Sequence, residues 1–296
     1  MARTKSSRVG GTALVGLVAL LEQAGREHYA VPALNFGNAE TAQAIVEAGV
    51  ALRSPVLLMT GPGETPLLGP RLLAEIAIAL ASRADVPVCL HLDHTTDLEL
   101  VQECLEAGFS SVMIDGSRRD FEENVRLTRQ VVEIAHARGI AVEGELGAVG
   151  TVDDVTIEGQ GQASLTDPAR AAEFVERTGV DALAVAIGNA HGIYRQRPQL
   201  DFARLEAVRR ATDAALVLHG GSGTPPEQLQ QAIATGVAKV NVASELSRAY
   251  LTAVHDAFER SEGKVWYAHA LAQAKTAVGQ VAAAWMRELG SAGKAP

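Results

Sequence analysis

Three stretches of the sequence end an apolar run at a histidine and then turn. Leu90-His91-Leu92-Asp93-His94 sets a carboxylate beside an imidazole. Ala186-Ile187-Gly188-Asn189-Ala190-His191-Gly192 and Leu216-Val217-Leu218-His219-Gly220-Gly221-Ser222-Gly223 stop at His191 and His219 and continue into glycine. An imidazole is a neutral nitrogen ligand, and three of them, His94, His191 and His219, leave a zinc ion one open position where a hydroxy-carbonyl group can be polarised. Asp93, next to one of these ligands, is placed to take or give a proton. A single histidine at a strand end more often bonds a backbone carbonyl. Three of them, each beside a turn and on a different strand, favour a metal site.

Three imidazoles on separate strands meet only if those strands lie side by side in a closed parallel sheet, and the rest of the chain reads that way. From Tyr29 onward, short apolar runs alternate with longer runs of helical period, the mark of repeated strand-helix units. Strands are expected at 29–35, 55–60, 86–91, 110–115, 140–145, 181–187, 215–218 and 237–242. Helices between them are expected near 39–52, 72–83, 98–107, 122–138, 168–178, 202–211, 226–234 and 245–258. Gly108, Gly139 and Gly179 read as helix stops, and Thr166-Asp167-Pro168 as a helix start. The fold class is therefore α/β, a (β/α)8 barrel, with a further helical arm near 271–289. Residues 1–12 read as a loose tail and 13–296 as one barrel domain including that arm. The segment 146–165 is long, glycine-rich and acidic, which suits a lid over the site.

Composition narrows the function classes. The chain of 296 residues is 47% hydrophobic and 4% aromatic, enough apolar mass for one large core of buried parallel strands. A formal net charge of -9 speaks against nucleic acid or an anionic membrane as partner. The two cysteines, Cys89 and Cys104, form no disulfide framework, so a reducing, cytoplasmic setting is expected. Residues 13–21 are too short and too interrupted to span a membrane.

Five motifs in order carry a resemblance: His91-Leu92-Asp93-His94, Val142-Glu143-Gly144-Glu145-Leu146-Gly147, Gly188-Asn189-Ala190-His191-Gly192, His219-Gly220-Gly221-Ser222-Gly223 and Lys239-Val240-Asn241-Val242-Ala243-Ser244. With them the chain resembles the class II, zinc-dependent aldolases, which split ketose bisphosphates such as fructose or tagatose 1,6-bisphosphate into dihydroxyacetone phosphate and an aldehyde such as glyceraldehyde 3-phosphate. The resemblance implies zinc on His94, His191 and His219, with Glu145 near the metal and Asp115 orienting a ligand imidazole. It implies that Asp93 handles the proton of the hydroxyl beside the broken bond, and that Asp153, on the loop, moves the carbon-bound proton. Substrate binding is carried over to Asn35, Gly192, Gly220, Gly221, Ser222, Asn241, Ala243 and Ser244, where small residues after strands six to eight expose backbone N–H groups to a phosphate. A monovalent cation near that phosphate and a homodimer or homotetramer belong to the same implication.

The chain departs from the family pattern at several points. Asp153 stands where the family's loop usually presents a glutamate, one methylene longer. Thr95 follows the first ligand where a smaller residue or histidine is usual, and is expected to narrow the pocket. Trp266-Tyr267-Ala268-His269 replaces an Asp-Pro-Arg whose arginine reaches the distal phosphate of a neighbouring subunit's substrate. The distal end is then read differently, by a nearby cation such as Lys275 or His269, or is absent, which would soften the preference for a bisphosphate. Ala243 stands where fructose-type enzymes tend to carry aspartate and tagatose-type enzymes alanine. Alternatives are the same mechanism on a ketose phosphate without the distal phosphate, or a non-catalytic phosphosugar-binding or partner subunit. Retention of all three histidines and Asp93 argues against the last.

Overall fold

A computed structural model describes residues 13–151, 164–194 and 196–296. The expected tail, 1–12, lies outside them. Eight parallel strands close a barrel: β1 (Val31–Asn35), β2 (Val56–Thr60), β3 (Val88–Leu92), β4 (Ser111–Ile114), β5 (Ala141–Leu146), β7 (Ala182–Val185), β9 (Ala215–Leu218) and β10 (Val237–Val242). Two further short strands, β6 (Gly150–Thr151) and β8 (Ala190–His191), pair with each other outside the barrel. The order round the barrel is β1-β10-β9-β7-β5-β4-β3-β2, the closed (β/α)8 arrangement expected from the alternation of runs.

Eleven helices occur among the described residues: α1 (Leu17–Glu27), α2 (Ala39–Leu52), α3 (Thr65–Leu68), α4 (Pro70–Ala81), α5 (Leu98–Ala107), α6 (Phe121–His136), α7 (Pro168–Thr178), α8 (Phe202–Ala211), α9 (Pro226–Thr235), α10 (Ser244–Arg260) and α11 (Tyr267–Glu288). Their ends carry the chemistry that the sequence announced. Asp97, Asp120 and Asp167 accept backbone N–H groups at the starts of α5, α6 and α7. Gly108 and Gly179 close α5 and α7 in the left-handed conformation. The arm, α11, packs back on the barrel through Val278, Trp285 and Met286. No helix of the described residues is long and apolar enough to cross a membrane.

Strand residues alternate between two cores. Val56, Leu58, Val88, Leu90, Val112 and Leu183 face the helices, whereas Leu57, Met59, Cys89, Met113, Ala184 and Val217 fill the barrel. Helix α1 plugs the lower end with Leu17, Leu20 and Leu21, which join the interior cluster. Above this apolar floor the same two-residue step lifts polar side chains into the interior: His91 then Asp93 on β3, Glu143 then Glu145 on β5, and His219 above Val217 on β9. On β10 the step is interrupted. The register shifts between Val237 and Lys239, so that Lys239 pairs with Val217. This bulge lets Ala238 face inward at the floor and still turns Lys239 and Asn241 into the barrel above it.

One expectation is corrected here. Strand six ends at Val185, short of the expected 187, so His191 lies beyond the barrel on β8. Of the segment expected as a lid, 146–165, the described ends carry β6 and a bridge between Ala148 and Ser164, and 152–163 lie outside the described residues.

Candidate active site

Asp93 and His94 follow directly on β3. The Asp93 amide donates to the Thr60 carbonyl at 2.8 Å, and His94 then adopts φ +30, a left-handed conformation that a side-chain-bearing residue tolerates only when its surroundings hold it. That turn swings the His94 ring across the mouth of the barrel. Its Nε2 lies 3.0 Å from His191 Nε2 and 2.8 Å from His219 Nδ1.

Glycine makes the close approach of the other two rings possible. Gly220, at φ +65, passes so near β8 that a Cβ there would sit 2.0 Å from the Ala190 carbonyl oxygen. Asn189 ties the same two segments: its side-chain amide donates to the His219 carbonyl at 3.0 Å, and its Oδ1 accepts the Ile187 N–H at 2.8 Å. Tyr194 adds a clasp, its hydroxyl accepting from Ala190 N at 2.7 Å and donating to the Gly220 carbonyl at 3.3 Å. His191 is thus delivered by a side arm held against the barrel.

The outer ring nitrogens fix the tautomers. His94 Nδ1 meets Asp115 Oδ2 at 2.9 Å, and His219 Nε2 meets Glu143 Oε1 at 2.8 Å, so each ring donates outward and turns its other nitrogen inward. Three inner nitrogens converge, and the site has charge to match. Glu145 Oε2 is buried without a hydrogen-bond partner, 3.4 Å from His219 Nδ1 and 4.0 Å from His94 Nδ1. Asp93, Asp115, Glu143 and Glu145 surround the cluster, with Lys239 buried among them. Burial opposes a charge on His94, but Asp93, the hydrogen bond to Asp115 and Glu145 outweigh it and hold the His94 pKa up at about 10. Burial and the neighbouring His94 push His191 down to about 4 and His219 well below its usual value. One positive charge is therefore drawn to a point faced by three nitrogens, and the donor set fits a divalent cation.

Asp93 is buried, and its Oδ1 accepts from Asn241 Nδ2 at 2.9 Å. Burial raises its pKa, partly offset by His94 and Lys239, which moves the carboxyl toward the range where it can carry a proton in either direction. Glu145 is raised to about 8, by burial first and by Asp115 next. Asp115 shows the opposite: burial is overcome by its hydrogen bond to His94, and its carboxyl stays well below the usual range.

Three of the expected substrate-binding residues lie together on the opposite rim. Asn35, Ala243 and Ser244 line a recess of about 800 Å³ together with Arg248. The Gly221 amide is committed to the Asn241 carbonyl at 2.9 Å, so it is not the exposed donor expected there. At the start of α10, Ala243 stands at the N-cap without a side-chain cap, and Ser244 opens the first turn. Ser222 is buried, its hydroxyl accepting the Glu245 amide at 3.4 Å, and Gly192 follows His191 at φ +114. The side-chain oxygens of Asn35 and Asn241 are buried without hydrogen-bond partners among the described residues. Thr95 is also buried, its hydroxyl accepting the Asp97 amide at 3.1 Å, and it lines the recess beside His94. Asp153 lies outside the described residues.

Three residues to which the sequence reading gave no role complete the site from below. Lys239 Nζ bonds Glu143 Oε2 at 2.7 Å and lies 3.5 Å from His91 Nε2, and His91 Nδ1 meets Ser111 Oγ at 2.8 Å. Glu143 therefore bridges a fully buried ammonium to the outer nitrogen of His219. The available signal was the strand period, since Glu143, His91 and Lys239 each stand two residues before a residue that was chosen.

Comparison with known proteins agrees with this geometry. The family model described as fructose-bisphosphate aldolase class-II matches residues 15–294. Among solved structures, the chain is 36% identical to the YdjI aldolase from Escherichia coli K12, covering 96% of this chain and 100% of that one at a TM-score of 0.83. It is 34% identical to a candidate fructose-1,6-bisphosphate aldolase from Coccidioides immitis, covering 94% and 97% at 0.83. Fructose-bisphosphate aldolase from Campylobacter jejuni shares the fold at 22% identity, covering 97% and 98% at 0.82. A match that spans the barrel from before α1 to beyond the arm, with two relatives above a third identical, shows that the chain belongs to the class II fructose-bisphosphate aldolase family.

Proposed function

We propose that this chain is a zinc-dependent aldolase that reversibly cleaves a ketose bisphosphate, of the fructose or tagatose 1,6-bisphosphate type, into dihydroxyacetone phosphate and an aldehyde. The observation that carries the reading is the convergence of His94 Nε2, His191 Nε2 and His219 Nδ1 beside the buried carboxyl of Asp93. A zinc ion held by the three imidazoles supplies an electrophile that draws electron density from the substrate carbonyl. Asp93 removes the proton from the hydroxyl next to the bond that breaks, and Asn241, donating to its Oδ1, holds the other oxygen toward the substrate. Asp115 and Glu143 keep the outer protons on His94 and His219 and so keep their inner lone pairs directed inward. The first turn of α10 and Ser244 receive the phosphate of dihydroxyacetone phosphate, with Asn35 at its hydroxyls. The return of the carbon-bound proton is assigned to Asp153 by family resemblance alone.

A second reading keeps this mechanism on a ketose phosphate that lacks the distal phosphate. Ala268, at the exposed start of α11 where the family carries arginine, favours it. The similarity to the Escherichia coli YdjI aldolase, a relative not named for a bisphosphate, is consistent with it too. Cleavage of fructose and tagatose 1,6-bisphosphate and their 1-phosphates, followed by release of dihydroxyacetone phosphate with and without a chelator, tests both readings. Chelator-sensitive release from a bisphosphate supports the first, release from the 1-phosphates alone supports the second, and release from none overturns both.

A further inference from the structure

The recess around the imidazoles opens between β3 and β4, on the far side of the barrel mouth from the rim formed by β1 and β10. It encloses about 530 Å³ and is lined by His94, Thr95, Asp115, His191 and two consecutive arginines, Arg118 and Arg119. A ketose whose phosphate rests on α10 and whose carbonyl lies over the imidazoles extends across the mouth toward this recess. What enters is the part of the substrate that leaves as the aldehyde.

Among the described residues, the arginines at that opening outnumber the carboxylates beside them. Arg119 Nη1 reaches Glu123 Oε1 at 3.1 Å, but Arg126 already takes both oxygens of the same carboxylate at 2.7 and 2.8 Å. One carboxylate thus serves two guanidinium groups. Asp115, the acid within the recess, is committed to His94 and to the Ser117 amide at 3.0 Å. Arg118 is close enough to His191 to help depress its pKa. On the arm, Lys275 is bonded to Glu47 at 2.9 Å, and Ala268 carries no charge.

Resting on the aldolase reading above, we propose that Arg118 and Arg119 form an anion subsite for the far end of the substrate, so that the aldehyde partner carries a phosphate or a carboxylate. A guanidinium presents parallel N–H donors that match the paired oxygens of either group. The distal anion recognition that Ala268 leaves unfilled is then rebuilt on the loop after β4, and selectivity for a charged aldehyde is retained.

The test measures kcat/KM for addition of dihydroxyacetone phosphate to glyceraldehyde 3-phosphate, to succinic semialdehyde and to uncharged glyceraldehyde, in the wild type and in R118M/R119M, at fixed zinc and ionic strength. The wild type should prefer at least one anionic aldehyde to glyceraldehyde, and that ratio should fall by about 10- to 100-fold in the double variant, the scale of a lost charge-assisted hydrogen bond. R118K/R119K should recover part of the preference, chiefly through KM. A larger loss with the phosphate than with the carboxylate identifies the phosphate as the ligand, and the reverse identifies the carboxylate. If the double variant does not fold, R118M and R119M singly give the same ratio. A ratio unmoved by the substitutions, or a wild type that prefers glyceraldehyde, overturns the proposal. Exchange of the carbon-bound proton of dihydroxyacetone phosphate by the wild type, without any aldehyde, separates the two levels: no exchange removes the aldolase reading itself, whereas exchange with an unmoved ratio removes only the arginine subsite.

Discussion

Lys239 and Glu143 form an ion pair of 2.7 Å inside the barrel, where neither side chain is exposed. The other Glu143 oxygen accepts from His219 Nε2 at 2.8 Å, so a structural ion pair and a metal-capable imidazole share one carboxylate. Replacing Lys239 by methionine leaves that carboxylate buried with its main counter-charge gone. The expected cost is about 3–5 kcal/mol of stability. Denaturant unfolding of the metal-free variant reads it, and Lys239→Met combined with Glu143→Gln should recover much of the loss. A single variant as stable as the wild type would mean that water reaches the pair.

Metal binding should release protons, and its pH dependence has a definite sign. His94 is held up to about 10, so at neutral pH a cation must displace a proton from it, whereas His191, at about 4, is already neutral. Affinity therefore rises with pH up to about 10, by about tenfold per unit while one proton is displaced. Calorimetric zinc titration in buffers of different ionisation enthalpy should count at least one proton released per zinc near pH 7. A count of zero contradicts the electrostatics described for the cluster.

Asp93→Asn keeps the shape and much of the hydrogen bonding to Asn241 but cannot accept the substrate proton. Turnover should fall by about two to four orders of magnitude. Zinc content should be unchanged. Near wild-type turnover would reduce Asp93 to a support for Asn241.

Gly220→Ala places a methyl group against the Ala190 carbonyl and fixes a side chain at positive φ. About 1–3 kcal/mol of stability should be lost to backbone strain, more if β8 is displaced, and zinc affinity should fall with it as His191 and His219 separate. Gly139→Ala is the control. It has φ +70 but nothing within 4 Å of the added Cβ, so stability should fall by about 1 kcal/mol with zinc affinity intact.

Barrel topology was legible because parallel strands covered on both faces must be short apolar runs, and each is punctuated by helix caps such as Asp97, Asp167, Gly108 and Gly179. The metal-capable residues were legible because glycine turns follow His191 and His219 and a carboxylate precedes His94. The way His191 arrives was not. Two-residue strands such as β6 and β8 carry no periodicity of their own, and they exist here because Gly220 and Asn189 let backbones approach closely. Lys239 keeps period with Asn241, two residues on; what one strand's sequence hides is the bulge at Val237–Lys239, a pairing property that lets Ala238 face inward as well.

If three imidazoles hold a metal on which carbon–carbon cleavage depends, metal and cleavage must be lost and regained together. Metal content and cleavage of fructose and tagatose 1,6-bisphosphate are determined for the purified protein as isolated, after chelation and after return of zinc, beside His94→Ala, His191→Ala and His219→Ala. One zinc per chain is expected, with cleavage lost on chelation and restored by zinc while the fold stays intact, and neither metal nor activity in the three variants. Full activity in metal-free protein, or zinc content unchanged in His191→Ala, would contradict it.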